Sequence, residues 1–145
     1  KPIVRAGGII EDAVLTFSEG KVVKAEARTG LENLEKVLAT DSGHSHLGEI
    51  ALVPHSSPIS QSGLTFFNIL FDENASCHIA LGDALKVGLE GGTTISDEEF
   101  SAAGGNLSLG HLDIMIGSGE MDVDGVLGDG RSEPLMRSGD WAFEV

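Results

Sequence analysis

The chain alternates short apolar runs with glycine-rich breaks, and the period of each run predicts its element. Ala13 to Phe17 and Lys21 to Ala27 are β-favouring and are joined by Ser18-Glu19-Gly20, so they predict a hairpin. Leu31, Leu34, Val37 and Leu38 then recur at helical spacing. Thr29 and Glu32 stand before them as an S/T-x-x-E capping box, which predicts a helix over residues 30–40. Glu49 to Val53 reads as a short buried strand between Gly48 and Pro54. Leu64 to Phe71 is apolar on more than one face and fits either a buried helix or a strand. Asp97 to Ala103 predicts a short helix capped by Ser96. Leu107 to Gly117, Met121 to Leu127 and Trp141 to Val145 predict strands, with a turn at Gly128-Asp129-Gly130. The sum is an α+β fold, rich in antiparallel or mixed sheet, with two or three short helices. No internal period and no low-complexity linker divides the chain, so residues 1–145 are expected to form a single domain.

Composition narrows the possible partners. Apolar residues make up 41% of the 145, which supports a folded core despite a formal charge of −14. Nine Lys plus Arg against 23 Asp plus Glu leave no basic face for phosphates, so nucleic acid and anionic membranes are excluded as partners. Divalent cations are attracted instead. Cys77 is the only cysteine, which rules out an intrachain disulfide, and it reads as a small buried side chain and not as a nucleophile. No stretch approaches the roughly 20 apolar residues of a membrane span, and a cytoplasmic location is expected. The chain opens on Lys1 and not on Met, which reads as an internal cut or as processing.

The candidate chemistry rests on three segments. In a strand, His111 and Asp113 project from one face, about 6.6 Å apart at about 3.3 Å per residue, so imidazole and carboxylate can converge on one cation. His78 follows Cys77 and precedes the apolar Ile79-Ala80-Leu81; it fits a core histidine, or a ligand whose second ring nitrogen is held by an acceptor. Glu49 places a carboxylate at the mouth of an apolar strand, where a salt bridge or a metal ion would compensate its charge. Of the remaining histidines, His44 and His46 read as solvated loop residues, with adventitious metal binding as the alternative. His55, between Pro54 and Ser56-Ser57-Pro58, reads as a turn residue with a local hydrogen bond. Gly125 to Gly130 lacks the lysine and the strand–loop–helix context of a phosphate loop.

Three segments together carry a resemblance: Leu-Gly-Glu-Ile-Ala-Leu-Val-Pro at 47–54, Leu-Phe-Asp-Glu-Asn-Ala-Ser-Cys-His-Ile-Ala-Leu-Gly at 70–82, and His-Leu-Asp-Ile-Met-Ile-Gly-Ser at 111–118. In this order they resemble the carboxy-terminal portion of the aminopeptidase T, aminopeptidase S and PepS metallo-aminopeptidases, from about Pro2 to the end. The resemblance implies a two-metal hydrolase that removes amino-terminal residues from peptides, generally as a homodimer. Glu49, His78, His111 and Asp113 match its metal ligands, and the mixed His and carboxylate set suits Zn, Co or Mn. Two departures accompany the match. Leu85 stands where the family has a catalytic tyrosine, and the chain contains no tyrosine at all. A further family glutamate lies upstream of Lys1. No catalytic side chain is therefore assigned here, and the isolated chain is expected to be an incomplete enzyme. Two alternatives remain: a non-catalytic structural or dimerisation domain of the same lineage, and a non-haem Fe(II) oxygenase-like triad of His78, His111 and Asp113.

Overall fold

The protein is described by a computed structural model covering residues 2–5 and 8–144. The chain divides into two compact units: Lys1–Ile50 with Ile79–Ile114, and Ala51–His78 with Met115–Val145.

In the first unit, β1 (Ile3–Arg5) pairs antiparallel with β2 (Gly8–Ile10), and β3 (Val14–Ser18) pairs antiparallel with β4 (Lys21–Glu26). The second pair is the expected hairpin. Its turn uses positive φ at Glu19 and Gly20, and a bulge interrupts the register between Thr16 and Phe17. Helix α1 (Leu31–Leu38) follows, but the capping box does not form. Thr29 is engaged in a β-bridge with Glu11, so the cap falls to Gly30 at φ 76°, without a side-chain hydrogen bond. A Cβ on Gly30 would lie 2.4 Å from the Ile9 carbonyl oxygen, which leaves no room for a side chain there. Leu34 points from α1 into a core with Ile3, Ile10, Leu81, Leu112 and Ile114.

Strands β5 (Leu47–Ala51), β6 (His78–Gly82) and β7 (His111–Met115) form one sheet in that order. β5 starts two residues before the expected strand and is not buried: Ile50 is 70% exposed. β7 is shorter than expected, because Leu107 to Gly110 forms a loop leading into it. Helix α4 (Asp97–Ala102) carries a complete capping box, with Ser96 accepting from the Glu99 N–H and Glu99 accepting from the Ser96 N–H.

The second unit holds two short helices, α2 (Pro58–Ser62) and α3 (Ile69–Asp72), and a sheet in the order β10 (Asp140–Trp141), β9 (Ser132–Arg137), β8 (Val123–Val126). Strand β9 escaped the sequence reading because Pro134 interrupts its pattern, and the closing strand is only two residues long. The segment Leu64 to Phe71, expected to be buried, is exposed: Leu64 is 58% accessible, Phe67 75% and Leu70 71%. Asp72 organises it by accepting from the Phe66 and Asn68 N–H groups. The described residues thus contain antiparallel strand pairs and four short α-helices, one more helix than the upper expectation. Among them no helix is long and apolar enough to cross a membrane.

Candidate metal centre

Within the first unit, two of the four expected ligands, Glu49 and Asp113, face the imidazole of a third, His111. His111 Nε2 lies 3.0 Å from Asp113 Oδ1 and 3.6 Å from Glu49 Oε2. The alternation of β7 produces this: His111 and Asp113 share a face while Leu112 and Ile114 pack into the core. Asp113 is nearly sealed, with 5% of its side chain accessible, whereas His111 and Glu49 retain 29% and 30%. The other ring nitrogen, Nδ1, lies 2.7 Å from the Asp83 carbonyl oxygen. A carbonyl can only accept, so Nδ1 carries the proton and Nε2 presents its lone pair to the carboxylates whenever the ring is neutral.

Burial is the largest single influence on the His111 pKa and pushes it down. The Asp83 carbonyl, the charge of Asp113 and its hydrogen bond, and then Glu49 outweigh burial, so the pKa lies above its ordinary value. The pocket therefore attracts positive charge, a proton or a metal ion, at Nε2.

Imidazole and carboxylate are donor types that bind divalent cations. Two donors bound at about 2.1 Å to one ion, with an angle of 90–110° between them, stand about 3.0–3.4 Å apart. The 3.0 Å and 3.6 Å separations about His111 Nε2 are close to that spacing. Among the described residues, no group of three or more His, Cys, Asp and Glu side chains is gathered closely enough to hold a metal ion by itself. What the first unit supplies is two close pairs that share His111.

His78 belongs to the second unit and opens β6. Its ring is buried, and Nδ1 lies 3.1 Å from the Ser76 carbonyl oxygen, the kind of backing acceptor that a ligating histidine uses. Leu85, at the expected tyrosine position, is 57% exposed. Cys77 is buried as expected, with Sγ against the Val53 backbone and 3.6 Å from Met136 Sδ. His55 makes its expected local bond, 3.0 Å from Ser60 Oγ.

His44 overturns its sequence reading. It is 1% accessible and not solvated, with Nδ1 3.1 Å from Ser108 Oγ. A Cβ on Gly110 would fall 2.4 Å from the His44 ring, so only glycine lets the loop before His111 close over it. Asp41, absent from the sequence reading, holds this loop. Its carboxylate accepts from the Leu109, Gly43 and His44 N–H groups and from the Ser108 hydroxyl. The Leu109 bond leads the causes that place the Asp41 pKa below the ordinary carboxylate value. A polar residue before a Ser-Gly-His loop is common, and nothing in the local sequence distinguished Asp41.

A model of the family described as thermophilic metalloprotease (M29) matches residues 1–141. The chain belongs to this M29 family. It is 51% identical to aminopeptidase 2 of Geobacillus stearothermophilus over 145 residues, and 50% identical to aminopeptidase T of Thermus aquaticus over 143. In both cases the match covers 99% or more of this chain but 35% of the relative. The structure of wild-type AmpT from Thermus thermophilus superposes with a TM-score of 0.90 at 48% identity, covering 99% of this chain and 35% of that one. The chain thus spans about a third of the length of the M29 relatives it matches, and the resemblance carried by its three segments extends over its whole length. As an M29 metalloprotease it belongs with proteins that use divalent metal ions.

Proposed function

We propose that this chain is the metal-binding part of a two-metal aminopeptidase, with Glu49, His78, His111 and Asp113 as ligands. The observation that carries the reading is His111, held from behind by the Asp83 carbonyl with its Nε2 facing two carboxylates. His78 shares the device of a carbonyl at Nδ1. A pair of divalent ions, Zn, Co or Mn, would supply a polarised peptide carbonyl and a water of lowered pKa. The chain's own work is to hold imidazole and carboxylate donors in place before the cations arrive, so that little reorganisation remains at the moment of reaction.

Leu85 has no hydrogen to donate to a developing oxyanion, and removal of one such donor typically costs about 100- to 1000-fold in rate. The 145-residue chain alone is therefore a feeble peptidase. The complete enzyme acts on peptide amino termini, in the cytoplasm and as a homodimer. The test is zinc titration by calorimetry on the purified chain and its His111→Ala and His78→Ala variants, alongside an assay with amino-acid amides. Each variant should lose zinc affinity at least about tenfold, as the loss of even a supporting partner does at such sites. Unchanged affinity in His78→Ala would remove that residue from the ligand set, and robust turnover by the short chain would overturn the role given to Leu85.

A further inference from the structure

A neutral His111 ring has one proton, and Nε2 offers a lone pair only while that proton stays on Nδ1. Two acceptors compete for it. The Asp83 carbonyl lies 2.7 Å from Nδ1, whereas the Asp113 carboxylate lies 3.0 Å from Nε2 and, being charged, is the stronger acceptor. A proton drawn to Nε2 would occupy the lone pair that a cation needs. The tautomer therefore depends on how firmly the Asp83 carbonyl is held in place.

Within the first unit, Asn106, which the sequence reading passed over, holds that carbonyl from two sides. The peptide group joining Asp83 to Ala84 turns its carbonyl to His111 and donates its N–H to the Asn106 carbonyl at 2.8 Å. In the preceding peptide group, the Gly82 carbonyl accepts from Asn106 Nδ2 at 2.7 Å, and the Asp83 N–H donates to the Gly110 carbonyl at 2.8 Å. Both peptide groups that flank the Asp83 α-carbon are thus gripped by Asn106, one through its side chain and one through its backbone. Nδ2 also donates to the Gly43 carbonyl at 2.8 Å. Carbonyls can only accept, so the group between Gly43 and Gly82 must carry two N–H donors. A carboxamide does so without charge, and neither a carboxylate nor a hydroxyl can.

We infer that Asn106 is a positioning residue for His111: it fixes the Asp83 carbonyl, so that the ring proton stays on Nδ1 and Nε2 stays open to a cation. The cation rests on the metal-centre reading, whereas the choice of tautomer stands without it. A residue that merely closed the loop would add stability and leave the tautomer alone.

The test is nitrogen–proton NMR of the His111 ring, in chelator and at alkaline pH where the ring is neutral, together with zinc calorimetry. Three proteins are compared: the native chain, Asn106→Ala, and Ser96→Ala, which removes the cap of α4 and lowers stability without touching this network. The native ring should carry its proton on Nδ1. Asn106→Ala should move it towards Nε2 and weaken zinc about tenfold, the scale on which supporting partners act. Ser96→Ala should do neither. A native ring protonated on Nε2, an unmoved proton in Asn106→Ala, or an equal shift in Ser96→Ala would overturn the positioning role. Proton exchange in the native chain decides the matter even where Asn106→Ala does not fold. The Asn106 amide protons and the His111 Nδ1 proton should exchange with solvent at matching rates, and a freely exchanging amide beside a protected ring proton would refute the role. A shifted ring proton in Asn106→Ala, with no zinc bound by the native chain, would support the positioning role and remove the metal reading. Zinc bound equally by both, with the ring proton unmoved, would refute the role and leave the metal reading intact.

Discussion

His111 receives a hydrogen-bond acceptor on one side and negative charge on the other, and its proton affinity is the measurable result. Because its folded pKa is raised, the protonated ring favours the folded state. That contribution is fully present below the ordinary value of 6.5 and is lost as pH rises through the raised folded value. In chelator, denaturation midpoints of the native chain should therefore fall, relative to those of His111→Gln, as pH rises from about 6.5 through the raised folded value. Parallel curves for the two proteins would contradict the assignment. With zinc present the direction reverses, because protons compete for Nε2: affinity should weaken as pH drops below the same raised value. Asp41 behaves as the opposite case. Its pKa is lowered, so its contribution is present above about 3.8 and disappears as pH falls through the folded value. Asp41→Asn should lower the melting temperature at neutral pH and should flatten the acid limb of the stability curve.

At the scale of elements, the capping box and the Ser96 cap read from the sequence met different fates. Ser96 and Glu99 formed theirs, because α4 starts in a loop where nothing else claims the serine. Ser96→Ala should cost about 1 kcal/mol, readable by chemical denaturation. Thr29 and Glu32 have the same spacing, but Thr29 is taken by the bridge to Glu11 and α1 begins at a left-handed Gly30. Gly30→Ala should destabilise by more than about 1 kcal/mol, since the new methyl meets the Ile9 carbonyl and the φ is unfavourable. A neutral outcome would mean that β2 shifts freely. Thr29→Ala, by contrast, should lack the usual capping penalty. Strand β9 shows the complementary limit: Pro134 broke the run, yet the antiparallel pairing with β8 accommodates it at a register shift.

At the scale of the whole chain, metal and fold should be coupled by mass action. A ligand at 100 times its dissociation constant adds about 2.7 kcal/mol to the folded state, so zinc should raise the melting temperature and a chelator should reverse it. Absence of any shift at saturating zinc would count against the ligand set. The amino-acid sequence alone determined the fold class, the hairpin, α4, and the pairing of His111 with Asp113, because each depends on a local period of two or on a fixed spacing of three. It also placed the family, through three short segments in order. Tertiary structure decided the rest. It buried His44 and left Leu64 to Phe71 exposed, because accessibility is set by what packs against a residue and not by its own polarity. It assigned Asp41 to the loop before His111 across 68 residues, and brought Glu49 to a histidine 62 positions away. Such contacts leave no periodic trace, since chain distance carries no information about which strand ends meet.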